Sequence, residues 1–340
     1  MPMGLDIWSG DAFTLQTLTA AVNKQPYRPG QISARGIFEE DGVSTTTVSI
    51  EMRDGKLGLV EPSQRGGPGE TIDDDTRSLV PVTIPHYQRD DSVLADEVQN
   101  VREFGSMSAL EQIQDRVNRK AARHAQDLTM TLEHQRIGAI KGIVMSKSGG
   151  TLLNLYQRFS VPVPNAVSLD VANADADVIG ILQGVQYSIE DAFDEDATYT
   201  GLHVFSGRDL HTQLWRHPQV QKTFLYHAGA EILREDVPEV YKLGAFTFER
   251  YRTGVKATAD AGAAYIAPNE ARVVPLGVPD LFQTRFAPAD YEETVNTIGV
   301  PFYVKQWARP DDKGRHLQVQ MNAMSWCTRP QVLRRLTIGA

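Results

Sequence analysis

Eight histidines and a single cysteine are the side chains of this 340-residue chain that catalysis or metal binding would use first. Four of the histidines, His203, His211, His217 and His227, crowd one stretch of the sequence. They would hold zinc only if the fold put their ring nitrogens on one centre, and their spacing is that of no ligand motif. They are read as satisfied or surface histidines, and no metal is expected. Cys327, preceded by Trp326 in an apolar run, reads as an inert core thiol, because a reactive thiol needs an electropositive, accessible setting. One cysteine also excludes an internal disulfide and a cysteine-rich zinc site.

Asp73-Asp74-Asp75 could ligate a hard cation, but the alternating aspartates and distant glutamate of a calcium loop are missing, so it reads as a solvated charge run. The glycines of Gly66-Gly67-Pro68-Gly69 lack the Lys-Ser or Lys-Thr that completes a phosphate cradle. There is no Gly-x-Ser-x-Gly elbow, no His-Glu-x-x-His and no Gly-x-Gly-x-x-Gly. No catalytic, cofactor-binding or metal residue is therefore assigned, and the chain is read as not an enzyme.

The elements that would carry such residues are clearer than any motif. Trp8, Phe13, Leu15, Leu18 and Val22 make a short amphipathic helix, followed by the loose Gln25-Pro26-Tyr27-Arg28-Pro29-Gly30 of an extended arm. An arm of this kind either packs on its own domain or reaches a neighbour. Val43–Met52, rich in β-branched residues, predicts a strand. Arg53-Asp54-Gly55-Lys56 predicts a two-residue hairpin turn, with Leu57–Val60 returning. The Gly- and Pro-rich segment Glu61–Glu70 has no side chains with which to build a core, so it must protrude or lie on something else. Leu79–Pro85 is strand-like.

Ser108-Ala109-Leu110-Glu111 is a capping box. From it Leu110, Ile113, Val117, Ala121, Ala125, Leu128 and Leu132 recur every three or four residues towards Ala139, Ile140 and a stop at Gly142. Ala109 to Lys141 predicts a rod of roughly 50 Å. Asp115, Arg119, Arg123 and Asp127 form its solvated outer face. The stripe is too rich in alanine for a coiled-coil seam, which leaves a helix laid across a sheet.

A helix over Val178–Phe193 follows, then a buried strand, Leu202–Ser206. Gly207-Arg208-Asp209-Leu210 opens a helix carrying Leu214, Trp215, Val220 and Phe224. Further strands are expected at 246–251, 263–266, 301–307 and 316–327. The fold class is α+β. The formal charge of -9, with Lys and Arg scattered, argues against a dedicated nucleic-acid reader. No window is apolar enough to span a membrane and no signal peptide is read, so cytoplasmic synthesis is expected.

The order of arm, hairpin, Gly-rich excursion, long helix, central α/β unit and returning strands resembles the lambda-type major capsid protein E family of tailed bacteriophages. Four segments carry the likeness: Gln64-Arg65-Gly66-Gly67, Leu132–Gly142, Leu202–Ser206 with the helix through Trp215, and His316–Met321. Prolines at Pro62 and Pro68, and the stretch from 150 to 200, depart from the pattern.

The resemblance implies the Hong Kong 97-type capsid fold: an N-terminal arm over 1–36, a β-hairpin and extended loop over 37–85, and a peripheral domain with a spine helix over 86–150. A central axial domain over 151–300 and strands returning to the peripheral sheet over 301–340 complete it. It further implies a major capsid protein that self-assembles, as pentamers and hexamers, into the head shell of the virion. It has no cofactor and no membrane contact, and packaged DNA is touched only non-specifically. Partners implied are a separate scaffolding protein, the portal and a decoration protein. The inter-subunit contact candidates are Arg65, Gly66 and Gly67 in the loop and Trp8, Phe13 and Arg28 in the arm. An encapsulin-like shell and an α+β enzyme are the alternative readings.

Overall fold

Alternating β-branched residues and one long apolar stripe leave the chain little choice but to lay helices on sheets. The structure, a computed structural model, describes residues 14–24, 30–53, 77–94, 109–193, 198–225, 237–252 and 265–339. In chain order these form α1 (Leu15–Lys24), β1 (Glu39–Gly42), β2 (Thr47–Arg53), β3 (Arg77–Thr83), β4 (His86–Leu94) and α2 (Ala109–Lys141). Then come β5 (Ile143–Met145), β6 (Thr151–Asn154), α3 (Leu155–Arg158), β7 (Val167–Ser168), α4 (Val178–Phe193) and β8 (Gly201–Ser206). The remainder is α5 (Arg208–Arg216), α6 (Pro218–Leu225), β9 (Val240–Leu243), β10 (Phe246–Arg250), β11 (Glu270–Leu276), β12 (Phe282–Phe286), β13 (Tyr303–Ala308), β14 (Gly314–Cys327) and β15 (Arg334–Thr337).

The chain divides into two compact units, each assembled from separated segments. The first takes residues 1–48, 83–133 and 284–325. Its frame is β14, which pairs antiparallel with β13 (Val304 opposite Val319) and with β4 (Val93 opposite Arg315). The strand order β1-β12-β14-β13 leaves β1 at one end. Val117, Ala121, Ala125, Leu128 and Leu132 of α2 pack with Val93, Val304, Leu317, Val319 and Met321 of this sheet and with Leu18 and Val22 of α1. From Val117 to Leu132 the apolar stripe read from the sequence is thus the buried face of a 33-residue helix. Burying each such Leu or Val is worth roughly 1.5–3 kcal/mol. At Gly142 the backbone turns to φ +83°, with its N–H on the Ala139 carbonyl, which ends the helix where glycine is needed.

The second unit takes residues 49–82, 134–283 and 326–340. Its sheet runs β7-β15-β11-β8-β10-β9, with β8 and β10 parallel and β11 antiparallel to both β8 and β15. β8 is central and buried along nearly its whole length, and Gly207 opens α5 where a Cβ would collide with the Ala267 carbonyl oxygen.

The strand expected over 43–52 is β2, which pairs with β3; the Asp54-Gly55 turn and the return at 57–60 lie outside the described residues. Two expectations need correction. One helix was expected through Phe224, whereas two form, because Pro218 forces His217 into an extended conformation (ψ 132°) and itself starts α6. The strand expected at 263–266 is absent from its described part, Tyr265 and Ile266. The turn at Pro268-Asn269 delays the strand to Glu270.

Candidate assembly surfaces

The N-terminal segment shows how much of the arm is seated on its own chain. α1 turns Leu18 and Val22 into the core of the first unit. Its Asn23 side chain donates to the Phe302 carbonyl at 2.9 Å, and the Val304 N–H donates to Thr19 Oγ1 at 3.2 Å. After the arm's turn, the buried Glu133 carboxylate accepts from the Ile32 N–H (2.8 Å), the Ser33 N–H (3.2 Å) and the Ser33 hydroxyl (2.7 Å). Those donors open the one-turn helix Ser33–Arg35, so an anion caps it from α2. Gly30 is required there, because a Cβ would overlap Glu133 Cδ. Residues 14–24 and 30–36 are therefore held by their own chain.

The outward face of α2 is mixed in charge, as read in the sequence, with Asp115 paired to Arg119 and Asp127 to Arg89. Arg116, Arg119, Lys120 and Arg123 line one open recess of about 270 Å³. Around it Asp115 lies 2.8 Å from Arg119, and Lys120 lies 3.6 Å from Asp91 and donates to the Ser92 carbonyl. Asp91 also meets His124 Nε2 at 2.9 Å. Burial alone would raise its pKa, but the His124 and Ser92 hydrogen bonds and the charge of Lys120 hold it below the usual range. Lys and Arg are thus locally clustered, contrary to the scattered distribution read along the sequence. β1 presents three consecutive exposed acids, Glu39, Glu40 and Asp41. Val295 and Ile298 expose apolar side chains in the turn after β12.

In the second unit the polar chemistry is sealed. His203 Nε2 donates to Glu249 across β8 and β10 at 2.8 Å, with both residues buried. His211 Nε2 donates to the Pro238 carbonyl at 2.8 Å, which leaves Nδ1 to accept from Ser206 Oγ at 2.7 Å. A serine paired with a histidine is the arrangement of an acyl-transfer nucleophile. Here both are fully buried, so no substrate reaches the hydroxyl. Burial pushes the His211 pKa down, keeping the ring neutral. His217 donates to the Asn173 carbonyl, and His227 lies outside the described residues. Among the described residues no His, Cys, Asp or Glu group is placed to hold a metal. Cys327 is fully buried and its thiol is pushed up to about 12 by burial, as an inert core residue would be.

Glu270 is the charged centre of this unit. Its carboxylate meets Arg335 Nε at 2.9 Å, Arg272 at 3.2 Å and Lys141 Nζ at 3.6 Å, and accepts from the Ala267 N–H. Burial alone would raise its pKa, but Arg272 and Lys141 outweigh that and hold it below the usual range. Lys141 also donates to the Tyr265 carbonyl, tying the end of α2 to the start of the β11 segment. Among the described residues no helix is long and apolar enough to cross a membrane.

All six contact candidates, Trp8, Phe13, Arg28, Arg65, Gly66 and Gly67, lie outside the described residues, as do Ser108 of the capping box and Asp73-Asp74-Asp75.

Residues 14–338 match the family model described as phage major capsid protein E. The chain is 23% identical to the major capsid protein of Salmonella phage Felix O1 over 94% of this chain and 95% of that one. It is 25% identical to that of Pseudomonas phage KPP10 over 88% and 89%. Among solved structures it resembles the capsid protein of an Escherichia coli CFT073 prophage, with TM-score 0.57 at 12% identity, over 96% of this chain and 99% of that one. The capsid of cyanophage P-SCSP1u matches with TM-score 0.53 at 10% identity, over 92% and 89%.

Proposed function

The chain belongs to the phage major capsid protein E family, and from that premise we propose how its parts build a shell. It is a phage major capsid protein, a subunit of the virion that associates with copies of itself. The observation that carries this is the agreement of two independent likenesses over nearly the whole chain: the family match over 14–338 and an α+β fold shared with phage capsid proteins.

In the finer reading the shell is the icosahedral head of a tailed phage and encloses double-stranded DNA. Pentamers and hexamers form it on a separate scaffolding protein, with a portal at one vertex and a decoration protein outside. α2 serves as the spine of a peripheral domain over 86–150, and the β8–α5 step belongs to an axial domain over 151–300. The Gly-rich excursion around Arg65, Gly66 and Gly67 lies on a neighbouring subunit, where glycines with no core of their own are buried. The arm residues Trp8, Phe13 and Arg28 make further contacts between subunits. Individually weak contacts suffice, because each subunit has many neighbours and the second contact forms at high effective concentration.

Arg65→Glu, or Gly66→Val with Gly67→Val, is expected to leave the far-ultraviolet circular dichroism of the subunit unchanged while electron micrographs show few closed particles. Normal shells from both variants would contradict the role given to the loop.

A further inference from the structure

We infer that the open half of the β13 edge is closed by this chain's own N-terminal segment, whose residues just before Thr14 add to the sheet as a short antiparallel strand. The inference goes beyond the shell reading and does not rest on it.

β13 ends the strand order of its sheet, so one side of its backbone has no strand beside it. In antiparallel pairing every second residue turns its N–H and C=O away from the partner strand. The Val304 N–H donates to Thr19 Oγ1 at 3.2 Å and the Phe302 carbonyl accepts from Asn23 at 2.9 Å. Phe302 and Val304 therefore face away from β14, and Gln306 and Ala308 follow them. α1 caps the first half of this edge with two side chains. Beyond it, the N–H groups of Gln306 and Ala308 and the Gln306 carbonyl have no partner among the described residues. Ala308 is exposed, so this half of the edge is open to another strand.

The Gln306 side chain is a second, independent sign. It stands on the same face as Val304, two residues away, and Leu317 opposite it belongs to the core that α1 covers. Its Oε1 is buried there without a hydrogen-bond partner. Buried polar atoms are rarely left so, and the missing donor must come from the α1 side of the sheet.

The segment that fits arrives at this spot. Thr19 lies at Val304 and Asn23 at Phe302, so α1 runs opposite in direction to β13. One turn earlier, Leu15 comes abreast of Gln306, since four helical residues and two strand residues both advance roughly 6–7 Å. Thr14 ends the helix there: its carbonyl accepts from the Leu18 N–H at 3.0 Å and its Oγ1 from the Thr17 N–H at 3.3 Å. Residues 1–13 lie outside the described residues, and those leading into Thr14 approach antiparallel to β13, beside its unpaired groups. No proline occurs between Met3 and Phe13, so every residue there has an N–H to give. Two or three of them span the roughly 7 Å from Gln306 to Ala308. Such a strand blunts an edge that would otherwise pair with another chain out of register during assembly.

The test is amide hydrogen exchange at single-residue resolution on the full chain as an unassembled subunit, at a low and a high protein concentration. Two variants are compared with it: one lacking residues 2–13, and Asp11→Pro with Ala12→Pro, which removes N–H groups of both strand faces without shortening the chain. Circular dichroism confirms that each variant folds, and the proline variant decides if the shortened chain does not. The Gln306 and Ala308 amides are expected to exchange at least about tenfold more slowly in the full chain than in either variant, at both concentrations. Lys305 and Trp307, which face β14, should change little.

Gln306 and Ala308 amides that exchange as fast in the full chain as in the variants would overturn the inference. Protection that appears only at the higher concentration would assign the edge to a segment of a second copy and likewise overturn it. A chain that protects both amides yet builds no shells would uphold the inference and contradict the shell reading alone.

Discussion

At the scale of single residues, the tightest constraint is the hold of Glu133 on the turn after the arm. Three donors converge on its buried carboxylate, so Glu133→Ala leaves two backbone amides and a hydroxyl without their acceptor. A loss of about 3 kcal/mol is expected in denaturant unfolding, since hydrogen bonds to charged groups are worth more than neutral ones. Gly142→Ala combines a φ of +83° with a Cβ that would overlap the Tyr156 ring. It should cost about 2–4 kcal/mol in the same measurement.

The titratable groups predict the direction of pH dependence. Burial depresses His211, and burial with nearby Lys141 depresses His134. As pH falls below the ordinary histidine value of 6.5, the unfolded chain takes up protons that the folded chain resists, and stability declines. Glu270, held below its ordinary 4.5, contributes stability above that value and loses it as pH falls through its folded value. Between pH 7.5 and pH 5 only the histidines act, so the melting temperature should be lower at pH 5 than at pH 7.5, and Glu270 adds to the fall below pH 4.5. A melting temperature that rises on acidification would contradict these assignments.

At the scale of elements, α2 and the β8–α5 step were legible because their signals are local. A repeat of three and four from Val117 to Leu132 and a glycine stop at 142 specify a helix whatever it packs on. Leu128→Ala should therefore cost about 3 kcal/mol by opening a cavity between α2 and its sheet. Asp115→Asn, which removes only the exposed pair with Arg119, should cost less than about 0.5 kcal/mol by the same unfolding measurement.

What was not legible depends on partners distant in sequence. β1 and β4 carry no local strand signal, because Glu-Glu-Asp-Gly and His-Tyr-Gln-Arg-Asp-Asp have no apolar alternation. They are strands because β12 and β14 offer them backbone partners. The capping of Ser33 by Glu133, a hundred residues away, left no local trace either. The spacing of Arg116, Arg119, Lys120 and Arg123 is a local signal that puts all four on one face of α2.

At the scale of the whole molecule, each compact unit is built from three separated segments, so the chain passes between them repeatedly. Such an arrangement could not be found by looking for linkers, since the passages at 133–134 and 325–326 fall inside α2 and β14. The resemblance in element order found the family where composition alone would have stopped at an acidic α+β chain. The assembly residues proposed from it lie in the arm and the Gly-rich excursion, outside the described residues.

The central claim, that this chain builds a closed shell, is tested most directly by particle mass. The subunit would be expressed alone and together with its scaffolding protein, then measured by analytical ultracentrifugation with negative-stain microscopy. The account predicts closed shells, or capsomer-sized rings of five and six subunits. A monomer or dimer that persists under every condition, scaffold included, would contradict it.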